Sequence, residues 1–207
     1  MPLPRRHLIA LPAALALAPA AFAPAARAQS GDPRMTERSM GPADAKVVVT
    51  EFFSLTCSHC ATFQRDTFPR VKRELIDTGR IRYTWVDFPL DQVALTAAAI
   101  ARSLPAERYE PFITALLLSQ DRWAFARGVN SVEELAKMAA LAGMPRPAFN
   151  AAAADEGLKR AILAAQDEAE KKYRVQSTPS FVINGKLTAG AISFDAFKQA
   201  VEAAAGA

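Results

Sequence analysis

Cys57 and Cys60 are the only two cysteines among the 207 residues, and they sit in the stretch LTCSHCATF with Ser58 and His59 between them. That spacing admits a structural staple, a metal clip or a reactive dithiol. A disulfide across this four-residue loop would stabilise a fold by only about 2 kcal/mol, little for a domain of this size. A structural zinc takes four Cys/His ligands. Beyond residue 28 the chain offers two cysteines and one histidine, and on a helix His59 would project away from the cysteine face. Haem attachment places its histidine after the second cysteine, not between the two. A two-thiolate copper(I) site stays open as an alternative.

The surroundings favour the reactive pair. Lys46 to Phe53 (KVVVTEFF) is a β-branched and aromatic run that predicts a strand, and a helical pattern begins at Cys57. Cys57 would then sit at a helix N-terminus, where free N–H groups and the helix dipole stabilise an anion. A protonated His59 would add positive charge. Both effects lower a thiolate pKa. Cys60, one turn further in, would be the buried resolving partner, while a substrate thiolate would attack an exposed Cys57 sulfur.

The elements that must position this pair follow from periodicity. Phe63, Val71, Leu75 and Ile76 continue the helix as far as Gly79, with a kink expected at Pro69. Arg80 to Phe88 alternates as a second strand. From Asp91 to about Tyr173 the chain reads as amphipathic helix, with Ser131 and Glu134 forming an expected capping box. Ser180 to Asn184 and Lys186 to Ala189 flank Asn184-Gly185, a hairpin turn, and a helix from Ser193 to about Ala204 closes the chain. The expected organisation is an α/β frame over residues 46–90 and 165–207. A helical subdomain is inserted at 91–164, and a flexible arm precedes the frame at 29–45. The first half would be a β-α-β unit with right-handed crossover.

Residues 1–28 read as a cleaved secretory signal: Arg5 and Arg6, an apolar run, then Ala26-Arg27-Ala28. Pro12, Pro19 and Pro24 interrupt the run and argue against a membrane anchor. The arginine pair leaves both general and twin-arginine export open. Without Arg5, Arg6 and Arg27 the chain carries 22 basic against 21 acidic residues, a net charge of +1. No positive field remains to argue for nucleic acid. The expected location is the periplasm, where disulfides persist.

CSHC after KVVVTEFF, Ser177-Thr178-Pro179 before SFVING about 120 residues downstream, and the helical insertion together resemble the bacterial periplasmic DsbA-like thiol:disulfide oxidoreductases. DTGRIRYTWVDFPLDQ and LAGMPRPAF look similar as well. The resemblance implies a thioredoxin fold with an inserted helical subdomain; relatives that isomerise disulfides usually dimerise through an added N-terminal domain, and the 17 residues from Gln29 to Ala45 argue instead for a monomer. The resemblance also implies a dithiol oxidase working through Cys57 and Cys60, with a disulfide isomerase or reductase of the same fold as the alternative. Pro179 matches the family's cis-proline, and Thr178 before it would pair its backbone with substrate. Glu51 occupies the place of the buried acid that exchanges a proton with Cys60, and Ser58 and His59 would tune the potential. Serine at 58, where proline is common, and threonine at 178, where some strong oxidases carry valine, leave the strength of oxidation open. No cofactor is implied. The implied partners are exported proteins with free cysteines and a quinone-linked inner-membrane re-oxidant of the DsbB type.

Overall fold

The computed structural model describes Met1 and residues 31–206; the expected signal segment lies outside the described residues. Two hydrophobic strands form the middle of a five-stranded sheet of order β1-β3-β2-β4-β5. They are β2 (Val47–Phe53) and β3 (Ile81–Asp87). They run parallel in register from Val47 opposite Ile81 to Phe53 opposite Asp87. Their largely buried side chains suit a parallel pair covered on both faces. β4 (Ser180–Ile183) lies antiparallel to β2, and β5 (Lys186–Ala189) antiparallel to β4. Asn184 and Gly185 join them with positive φ at both positions, 43° and 87°, which is the primed turn their types favour.

The crossover from β2 to β3 is helical but broken. α1 (Ser58–Asp66) stops at Thr67, and α2 (Phe68–Val71) begins with Pro69 in its first turn. There the missing proline N–H costs no hydrogen bond. The chain then widens into a π-helical turn over Lys72–Ile76. Phe63, Phe68, Tyr83, Trp85, Phe181 and Phe197 pack as neighbouring rings between the sheet, α1 and the C-terminal helix α9 (Phe194–Ala205). This aromatic core holds the crossover helix against the strands.

The helical block comprises α3 (Gln92–Arg102), α4 (Ala106–Leu118), α5 (Gln120–Trp123), α6 (Ser131–Leu141), α7 (Arg146–Ala153) and α8 (Glu156–Tyr173). α3 is almost wholly buried, and its alanines let neighbouring helices approach closely. α8 runs unbroken through the boundary expected at residues 164 and 165, because its Ala-rich sequence carries no break there. The cap of α6 also differs from expectation. Asn130 accepts from the Val132 and Glu133 amides at 3.0 and 3.4 Å, so Ser131 is the first helical residue and not the cap.

The segment expected to be a flexible arm is partly ordered. Residues 33–35 form a 3-10 turn, and Arg38–Met40 is β1, antiparallel to β3. Long-range polar contacts explain the order. Arg34 reaches Asp155 at 2.7 Å, and Arg102 donates to the carbonyls of Arg34 and Thr36 at 3.2 and 3.3 Å. Arg102 is itself held by a buried ion pair with Asp87, which also accepts from the Tyr109 hydroxyl at 3.1 Å. At Gly41 (φ 85°) a Cβ would lie 2.3 Å from the Ile81 carbonyl oxygen, so only glycine fits beside β3. Among the described residues no helix is long and apolar enough to cross a membrane.

Candidate active site

The β2 strand ends at Phe53, and a turn of four residues delivers Cys57 to the N-cap of α1. Its sulfur stands in for the usual capping oxygen and accepts the Cys60 amide at 3.4 Å. Cys57 and Cys60 are free thiols in this structure. Cys57 retains 7% of its surface and Cys60 none. The nucleophile expected to be exposed is therefore buried, though less completely than its partner. Ser58 and His59 are both exposed on the outer side of the first turn.

The two thiols are driven apart electrostatically. The Cys57 pKa is lowered from 9.0 to about 5, above all by a hydrogen bond from the Cys60 thiol; burial opposes this. Thr178 and the backbone N–H groups of Cys60 and His59 add to the lowering. His59 thus contributes to this thiolate through its main-chain N–H. Cys60 moves the other way: burial, the Cys57 sulfur and the Glu51 carboxylate push its pKa well above 9.0.

The loop before β4 closes the site from the other side. The Thr178–Pro179 peptide is cis, and the Thr178 carbonyl accepts from the Cys57 thiol at 3.3 Å. A carbonyl bonds only the protonated sulfur and so works against ionisation. The Thr178 hydroxyl is buried without a partner, a donor free to turn to the thiolate when it forms.

Glu51 projects from β2 beneath the pair and is 2% exposed. Burial raises its pKa to about 7; a hydrogen bond from the Tyr83 hydroxyl, at 2.8 Å, pulls it down, and the Cys57 charge pushes it up. Tyr83 was not singled out from sequence. Its sole signal is its place on the neighbouring parallel strand, close to the residue opposite Glu51. Replacing Tyr83 with phenylalanine should raise the Glu51 midpoint by about one to two pH units, the worth of a hydrogen bond to a charged group. Infrared titration of the buried carboxyl would reveal this; an unmoved midpoint would show that Tyr83 is packing alone.

Two residues of the helical block also grip the turn, and both escaped the sequence reading. Asp91, the N-cap of α3, accepts the Thr56 hydroxyl at 2.7 Å. Gln120, at the start of α5, donates to the carbonyls of Leu55 and Cys57 at 2.8 and 3.0 Å. An aspartate before an amphipathic helix is a readable cap signal, but its second partner is visible only in three dimensions. Beside the turn lies a groove of about 350 Å³ whose lining includes Ser58, Ala61, Leu118 and Phe125. Leu118 and Phe125 are 52% and 56% exposed, so this rim offers apolar surface to a neighbour.

Comparison with known proteins agrees with this geometry. A thioredoxin family model matches residues 34–203. A Rickettsia felis relative classed by name as a protein-disulfide oxidoreductase is 30% identical over 166 residues, which is 80% of this chain and 59% of the relative. The chain therefore spans only about three fifths of the length of these relatives. Disulfide bond formation protein D of Bacillus subtilis is 23% identical over 182 residues, 84% of this chain and 80% of that protein. The crystal structure of Wolbachia pipientis alpha-DsbA1 superposes with a TM-score of 0.76 at 28% identity, covering 83% of this chain and 92% of that one.

Proposed function

This chain belongs to the thioredoxin family and is DsbA-like in build, and from that premise we propose that it is a thiol:disulfide oxidoreductase that oxidises dithiols in exported proteins. The observation that carries the reading is the asymmetry of the pair: Cys57, buried but for 7% of its surface, is acidified, and Cys60, fully buried, has its pKa raised. In the oxidised protein a substrate thiolate attacks the Cys57 sulfur, and the electron pair of the broken S–S bond leaves on Cys60, which takes a proton from Glu51. A second substrate thiolate then attacks the first substrate sulfur, the one bonded to Cys57 in the mixed disulfide, and expels Cys57 as a thiolate. The substrate loses two electrons, and the Cys57/Cys60 pair gains them. The cis Thr178–Pro179 loop would present its backbone to the substrate as a strand, and Leu118 and Phe125 would meet apolar side chains beside the substrate cysteine.

A thiol disulfide oxidant needs an oxidising compartment and a route for electrons to leave. We infer a periplasmic location after removal of residues 1–28, and a quinone-linked membrane re-oxidant of the DsbB type.

The deciding measurement is the reduction potential in glutathione buffers. DsbA, with a thiolate pKa of about 3.5, lies near about −120 mV. A pKa about 1.5 units higher weakens the reduced state by about 45 mV at about 30 mV per unit, so a value near about −165 mV is expected. A potential below about −220 mV would overturn the oxidase reading in favour of a reductase or isomerase. Metal retained by the reduced protein with no thiol exchange would overturn both in favour of copper(I) binding.

A further inference from the structure

We propose that Gln120 is a positioning residue for Cys57, through which the helical insertion holds the active-site turn in the geometry that favours the thiolate. The inference deepens the oxidoreductase reading and rests on it. Gln120 is almost completely buried, 65 and 63 residues from the two carbonyls it meets. Its Nε2 carries two hydrogens, and both are spent, one on Leu55 and one on Cys57. Only the nitrogen end of the amide can face two carbonyl oxygens, so the orientation of the side chain is determined by its partners.

The two carbonyls bracket the reactive residue. The Cys57 carbonyl already accepts the Ala61 amide at 3.1 Å as the first bond of α1, and Gln120 adds a second donor. The Leu55 carbonyl sits in the buried turn before it. Carbonyl oxygens are the negative ends of their peptide dipoles, and in a water-poor site they disfavour a neighbouring anion unless donors oppose them. Gln120 supplies those donors. It also fixes the backbone of Cys57 as an N-cap (φ −84°, ψ 117°), which keeps the Cys60 amide on the sulfur. Asp91 grips Thr56 in the same turn from α3, so the helical block holds the turn at successive residues, 55, 56 and 57.

α5 does not depend on these bonds. Its own structure is held by the Ala124 amide on the Gln120 carbonyl and by Trp123, whose indole N–H reaches the Leu116 carbonyl at 2.8 Å. Two substitutions in one helix therefore separate positioning from simple stability. Gln120→Met keeps the length of the side chain and removes both donors. It should shift the equilibrium with glutathione about tenfold toward the protein disulfide, about 30 mV for this two-electron couple, and raise the Cys57 midpoint. Gln120→Asn, too short to reach both carbonyls, should shift it less in the same direction. Trp123→Phe should lower the melting temperature and leave the equilibrium in place.

An equilibrium constant within twofold of wild type in Gln120→Met, or a shift as large in Trp123→Phe, would overturn the proposal while the oxidoreductase reading stands. A wild-type chain that does not exchange with glutathione would instead overturn that reading and this inference with it.

Discussion

Cys57→Ser should lower the rate of thiol exchange by at least about three orders of magnitude, whereas Cys60→Ser, which has no disulfide with which to oxidise a dithiol, should keep the reverse attack of the Cys57 thiolate on a substrate disulfide and trap a mixed disulfide. The difference follows from ionisation and access together. In Cys57→Ser the remaining thiol is fully buried, and its pKa stands well above 9.0. At pH 7 less than about 1% of it is thiolate, and the reactive species is the thiolate. In Cys60→Ser the acidified thiol of Cys57 remains, and with it the attack on a substrate disulfide. The second sulfur that would expel the substrate is gone, so the covalent adduct accumulates.

The same pair of positions tests what acidifies Cys57. Its main support is the hydrogen bond from the Cys60 thiol. A serine hydroxyl can donate in its place, and an alanine cannot. Cys60→Ala should therefore raise the Cys57 midpoint by about one unit relative to Cys60→Ser, read from the ultraviolet absorbance of the thiolate. Equal midpoints would mean that the helix N-terminus and Thr178 set the acidity without the Cys60 side chain. More than about a tenth of wild-type exchange in Cys57→Ser would end the assignment of Cys57 as the attacked sulfur.

The parts of this site that could be read from the sequence are those with local signals. A β-branched run followed by a small-residue turn and a helical period places Cys57 at the start of a helix, and Asn184-Gly185 marks the hairpin behind it. β1 left no such trace: three residues show no periodicity, and they become a strand only by pairing with Tyr83, Thr84 and Trp85. Gln120 was hidden for a related reason. A single amide in a Leu/Ala-rich stretch looks like an exposed position, and its partners are more than sixty residues away. The main-chain N–H of His59, which also supports the thiolate, left no trace of its own in the sequence. The directions of the Cys57 and Glu51 shifts could be expected from a helix N-terminus and from burial, but the Tyr83 and Cys60 hydrogen bonds that modify them needed the fold.

Those environments oppose each other as pH changes, and the opposition depends on redox state. In the reduced protein Cys57 titrates at about 5, against about 8.5 in an unfolded chain. Between these values the folded state binds fewer protons, so stability rises with pH; at pH 7 the gain is about 1–2 kcal/mol after discounting for partial solvent access. Glu51 has the reverse sign. Its folded pKa is about 7 against the ordinary 4.5, so the folded state holds the extra proton, and stability is lost as pH rises from about 4.5 through 7. The full loss is about 3 kcal/mol. Oxidation removes the Cys57 thiolate and with it a smaller part of the rise at Glu51, but the larger part, due to burial, remains and has no opposing group. The oxidised protein should thus lose stability steadily between pH 5 and 8, while the reduced protein stays nearly level. Glu51→Gln, which keeps an acceptor for Tyr83, should leave stability unchanged at pH 4 and raise it by about 1–3 kcal/mol at pH 8 in both redox states. It should also slow exchange, because the proton donor to Cys60 is lost. Urea unfolding of both redox forms at pH 4, 6 and 8 measures all of this. Equal stabilisation by Glu51→Gln at pH 4 and pH 8 would show that the carboxyl is not ionising within the fold and could not act as the proton store for Cys60.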